Sequence, residues 1–146
     1  MTLAFKANIE NLSNRLDLES QELDNNLFSI TIDERWPVHF SDLNEEYIVL
    51  FTSLGKLPNP QIAMRLLADN LFDSNSMRPR VGLDDASQNL LLWSQVAYSK
   101  CDETTLYHAL TVFIERANIF DNWLSEAILA EEMPLPNQEI SQFIRV

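Results

Sequence analysis

The run Leu90, Leu91, Leu92, Trp93 lies inside VGLDDASQNLLLWSQVAY, residues 81–98, and constrains the fold more than any other stretch of the chain. Successive side chains of a strand point to opposite faces of its sheet, so this run makes both faces apolar at once. Val81 to Leu83 read as a preceding strand and DDASQN as a polar turn. The stretch is therefore a strand pair, and something must cover its second face.

The remaining elements follow from periodicity. Phe5, Ile9, Leu12 and Leu16 recur at helical spacing among polar residues, which predicts an amphipathic helix over 3–18, followed by a polar connector, ESQELDNN. Phe28, Ile30 and Ile32, then Trp36, Val38 and Phe40, alternate on either side of a DER turn as an antiparallel hairpin with one buried face. YIVLFTSL, residues 47–54, reads as a central strand closed by Gly55 and Pro58. Asn59 followed by Pro60 is a helix start, which predicts a second helix over 60–72. Leu106, Leu110, Phe113, Ala117, Phe120, Leu124 and Ile128 form one stripe and predict a long final helix opened by Asp102 and Glu103. Strands in runs, rather than in strict alternation with helices, indicate an α+β domain with a mainly antiparallel twisted sheet and the element order α-β-β-β-α-β-β-α. Residues 1–129 form this domain, and 130–146, EEMPLPNQEISQFIRV without its first residue Ala130, read as a mobile or partner-dependent tail.

At 146 residues the chain can bury about 70% of its unfolded surface in a single core. Its net charge is -12, from 22 acidic and 10 basic residues, with no compensating basic cluster. That balance repels nucleic acid and anionic membrane surfaces and favours basic partners. A single cysteine, no signal-like N-terminus and no long apolar run predict a cytoplasmic protein.

Catalytic and metal signatures are missing from the sequence: it has no phosphate loop, no G-x-S-x-G, no H-E-x-x-H and no C-x-x-C. His39 should sit on the strand face opposite Val38 and Phe40, and His108 on the polar side of the last helix. Cys101 precedes a helix start, a position that can lower a thiol pKa, but without a supporting His it reads as inert. Asp84/Asp85, Glu45/Glu46 and Glu131/Glu132 lack the spacing of a metal loop and read as solvated charges. No cofactor is expected.

The second helix carries more apolar surface than one sheet requires. Ala63, Met64, Leu66, Leu67, Ala68 and Leu71 span an arc of about 200°, against the roughly 100° a one-sided helix needs. Gln61, Arg65, Asp69 and Asp73 hold the polar side. Either the helix is sunk deep in its own core or it packs on another subunit, and LLLW shows the same excess.

In element order and motifs the chain resembles the CesT-type (Tir chaperone), or class I, chaperones of bacterial type III secretion. The residues that carry this are VGLDDASQNLLLWSQVAYSKCDETTLYHALTVFIERANIFDNWL, with Ala117, Phe120 and Trp123 at the A-x-x-W-like positions, and LPNPQIAMRLLADNLF for the second helix. The resemblance covers residues 3–129. It implies a cytoplasmic homodimer that binds the N-terminal chaperone-binding segment of a secreted effector and keeps it non-globular until secretion, with release tied to a secretion ATPase. Dimer contacts are then expected at Ala63, Met64, Leu67, Leu71, Leu90, Leu92 and Trp93. Effector contacts are expected at Phe5, Ile9, Leu12, Leu16, Phe28, Ile30, Trp36 and Val38. Alternatives are a binding protein that sequesters a secretion regulator and, more remotely, a small hydrolase using the acidic pairs.

Overall fold

In a computed structural model of the chain, the structure describes residues 3–24, 26–71 and 78–129. Helix α1 (Leu3–Leu16) leads into four strands, β1 (Gln21–Asp24), β2 (Leu27–Ile32), β3 (Trp36–Leu43) and β4 (Tyr47–Lys56). Helix α2 (Pro60–Asp69), strands β5 (Arg80–Asp84) and β6 (Asn89–Ala97), a short 3-10 turn and the long helix α3 (Glu103–Leu129) complete the order. The expected order holds with one strand added: β1 occupies part of the predicted connector. Its four residues QELD are all exposed, so no alternation of burial marks them in the sequence. The tail, residues 130–146, lies outside the described residues.

All six strands join one antiparallel sheet in the order β1-β2-β3-β4-β6-β5. The turns that join β2 to β3 and β3 to β4 are built without glycine. Each connection has three residues, and its first two are left-handed: Asp33 and Glu34 at φ +55°, Asn44 and Glu45 at +52° and +59°, conformations that Asn and Asp tolerate better than most residues. Gly55, at φ +98°, sits where the β4–β6 register shifts, a bulge that a Cβ would strain.

One face of the sheet carries the core. Trp36, Val38, Phe40, Ile48, Leu50, Leu90, Leu92 and Val96 are buried there with Phe5, Ile9 and Leu12 of α1 and the apolar stripe of α3. Helix α1 ends at Leu16 rather than Leu18, because Asp17 turns left-handed at φ +54°. Helix α2 begins as expected: Asn59 Oδ1 accepts the Ile62 N–H at 3.0 Å and Pro60 fills the first turn. It ends at Asp69, so Leu71 lies beyond it and Phe72 lies outside the described residues. Asp102 opens α3, accepting the Thr105 N–H at 2.7 Å. Ile128, the last residue of the predicted stripe, is exposed.

Candidate partner-binding site

Helix α2 is oriented by a buried charge cluster rather than by the centre of its apolar arc. Its buried residues are Ile62, Leu66 and Asp69, one face at spacings of four and three. The Asp69 carboxylate, 1% exposed, lies 3.8 Å from the Arg78 guanidinium and 3.5 Å from that of Arg116 on α3. Arg78 also donates to the Asp69 carbonyl. Asp69 was expected on the polar, outward side, and this cluster reverses that. Two guanidiniums drawn onto one carboxylate pull that side of the helix inward, and the wider apolar arc turns outward. Met64 is 72% exposed and Leu67 69%, with Ala63 and Leu71 half-buried beside them.

The LLLW run is divided by strand parity. Leu90 and Leu92 fill the chain's own core, at 3% and 0% exposure, whereas Leu91 and Trp93 lie on the opposite face. Of the three run residues expected at a dimer contact, Trp93 alone points outward. A row of register partners crosses the whole outer face there: Gln21, Ser29, His39, Phe51, Trp93 and Arg80. His39 meets Phe51 with the rings tilted by 41° and their centroids 5.1 Å apart, and the Trp93 indole lies over Gly82, where a Cβ would stand 3.6 Å from Nε1.

The residues expected to contact an effector come together around α1 and the β2–β3 hairpin, but mostly beneath the surface. Phe5, Ile9, Leu12, Ile30, Trp36 and Val38 are core side chains, while Leu16 and Phe28 are partly buried at its margin. Phe5 and Phe28 meet edge to face at 5.7 Å. The hairpin is fastened to α3, with Trp36 Nε1 donating to Asn118 Oδ1 at 3.0 Å and Arg35 donating to Asp121 and Asn118.

The two edges of the sheet are unequal. At the β5 edge the Asn70 side chain accepts the Val81 N–H at 3.2 Å and donates to the Val81 carbonyl. Strand β1 forms the other edge and is exposed along its length. Sequence reasoning missed both Asn70 and the edge strand, for neither carries a periodic signal.

The titratable side chains give no catalytic arrangement among the described residues, and no group of three His, Cys, Asp or Glu could hold a metal there. Burial lowers the His39 pKa. Burial first, and then the Asp102 charge, raise that of Cys101, the reverse of the thiol activation a helix start can give. His108 is exposed on α3. Among the described residues no helix is long and apolar enough to cross a membrane.

A sequence model of the Tir chaperone protein (CesT) family matches residues 7–120, from α1 well into α3. The chain belongs to the CesT family. The Tir chaperone of Escherichia coli is 27% identical over 121 residues, 81% of this chain and 78% of its own. That of Citrobacter freundii matches to the same extent. Among solved structures, the Yersinia pestis type III secretion chaperone SycH, in complex with a stable fragment of YscM2, is 31% identical at a TM-score of 0.64, covering 77% of this chain and 96% of SycH. The ExoT–SpcS complex of Pseudomonas aeruginosa shares the fold at a TM-score of 0.65 and 22% identity, covering 81% and 97%. The CesT-family core thus coincides with the sheet, α1, α2 and most of α3 described above.

Proposed function

We propose that this CesT-family protein is a cytoplasmic, homodimeric type III secretion chaperone that holds the N-terminal chaperone-binding segment of a secreted effector in a soluble, non-globular form. The observation that carries this reading is the family match over residues 7–120. Two features of the geometry support it. The outward ridge of α2, with Met64 and Leu67 bare in the single chain, suits burial against a second copy, and Trp93 extends apolar surface on the sheet. Strand β1 offers an exposed edge to which an extended segment can add a strand, with α1 and the first hairpin beside it at Leu16 and Phe28. Phe5, Ile9, Leu12, Ile30, Trp36 and Val38 then act from below, as the packed floor that fixes the shape of that surface.

The mechanism is binding alone. Ordering a disordered segment costs conformational entropy, so useful affinity needs a large wrapped surface, which a dimer supplies twice. The net charge of -12 keeps exposed apolar ridges soluble and steers basic segments toward them. The test is capture of the partner by the full chain in its native bacterium, identification by mass spectrometry, and hydrogen exchange on the complex. The expected partner is a secreted protein held through an N-terminal segment that is protected only where it touches the chaperone. Capture of a fully folded partner, or of no secreted protein, overturns the reading.

A further inference from the structure

A cleft of about 250 Å³ opens between the C-terminal end of α1, the β2–β3 turn and the middle of α3. Its floor is aliphatic, from Leu16, Ile32, Leu110 and Ile114, with the Tyr107 ring on one wall. Asp33 and Glu115 stand exposed at its rim. Neither carboxylate joins an ion pair among the described residues. Arg15 and Arg35, beside Leu16 and in the turn, each hold a partner other than these two carboxylates. The Arg15 guanidinium sits 4.1 Å from the centroid of the Tyr107 ring, and Arg35 donates to Asp121 and Asn118. Negative charge therefore overhangs an apolar floor.

The cleft is also preformed. Asp33 belongs to the tight left-handed turn, closed by the Arg35 N–H on the Ile32 carbonyl at 3.0 Å, and the same turn is fastened to α3 through Arg35 and Trp36. A fixed rim reduces the ordering cost of binding. The volume falls below the roughly 300–1,000 Å³ of small-molecule sites and suits one bulky side chain of a bound polypeptide. A neighbouring Lys or Arg can lay its aliphatic stem along the edge of the aliphatic floor while its charged head reaches the rim.

Resting on the chaperone reading above, we propose that this cleft is an anchor site for an apolar residue flanked by Lys or Arg in the bound effector segment. The test uses the full chain with labelled methyl groups, titrated by NMR with short unstructured peptides that differ at one central pair: Leu-Lys, Leu-Glu or Ser-Lys. The Leu-Lys peptide is expected to shift the methyls of Leu16, Ile32 and Ile114 and to bind about two- to fivefold tighter than Leu-Glu, the range exposed ion pairs support. That preference should vanish in the Asp33→Asn, Glu115→Lys double variant; both positions are exposed, and Asn tolerates the positive φ at 33. Equal binding of Leu-Lys and Leu-Glu overturns the proposal, as do shifts confined to the outer sheet face around Phe51 and Trp93. So does filling of the cleft by a second copy, seen as the same shifts on raising protein concentration without peptide. Capture of a secreted protein by the unaltered chain tests the chaperone reading separately, so failure of the two is distinguishable.

Discussion

The side-chain amide of Asn70 pairs with both backbone groups of Val81, accepting its N–H and donating to its carbonyl. An amide side chain here takes the place of a neighbouring strand, and it caps the β5 edge near the start of the strand. Exposed sheet edges recruit other chains indiscriminately. With Asn70 on Val81, the strand addition proposed above falls to β1, on the side of the sheet that carries the first hairpin.

Asn70→Ala should therefore do two things. Loss of two hydrogen bonds should cost about 1–3 kcal/mol of stability, read as a lower urea midpoint. The bared edge should also add a concentration-dependent self-association, visible by light scattering. An unchanged midpoint with no added association means that Asn70 does not guard the edge.

The Asp69 cluster sets which face of α2 turns outward, and Asp69→Asn tests it. The substitution leaves the largely buried guanidiniums of Arg78 and Arg116 without their carboxylate. Removing one partner of a buried ion pair costs about 3–5 kcal/mol, a large share of the roughly 5–15 kcal/mol that holds an ordinary domain. Chemical denaturation should show a steep fall in stability; a change within the range of surface substitutions contradicts the assignment.

His39 gives a pH dependence of defined sign. Its pKa is lowered from 6.5 in the folded chain by burial, so the unfolded chain takes up the proton first as pH falls. Stability from this residue is complete above pH 6.5 and declines as the pH drops from there toward the folded value. Urea midpoints measured across that window should fall for the unaltered chain and fall less for His39→Gln.

Much of this architecture is legible in the sequence because burial imposes periodicity. The α3 stripe, the hairpin alternation and the Asn59-Pro60 helix start each leave a pattern of their own, and each stands where the pattern puts it, apart from the exposed Ile128. Strand β1 left none, since an edge strand with four exposed residues buries nothing. For α2 the hydrophobic count misleads. The apolar arc is wide, but what turns the helix is a charge cluster whose partners lie outside it, Arg78 nine residues beyond Asp69 and Arg116 on α3. The same limit applies to the binding surfaces. An amphipathic pattern such as Phe5, Ile9 and Leu12 looks the same whether its stripe meets the protein's own core or a partner, and here it meets the core. The acid-rimmed cleft depends on three separate segments converging, which no local pattern encodes.

Light-scattering mass of the full chain, alone and with its captured secreted partner, tests the central claim most directly. The account predicts twice the chain mass of 16.9 kDa for the free protein at micromolar concentration, and two chain copies in the complex. Burial of Leu67 and Met64 at about 1.5–3 kcal/mol each means that Leu67→Asp should weaken the dimer by about a hundredfold or more and leave a single-chain mass. A wild-type chain that stays monomeric, free and in complex, contradicts the account.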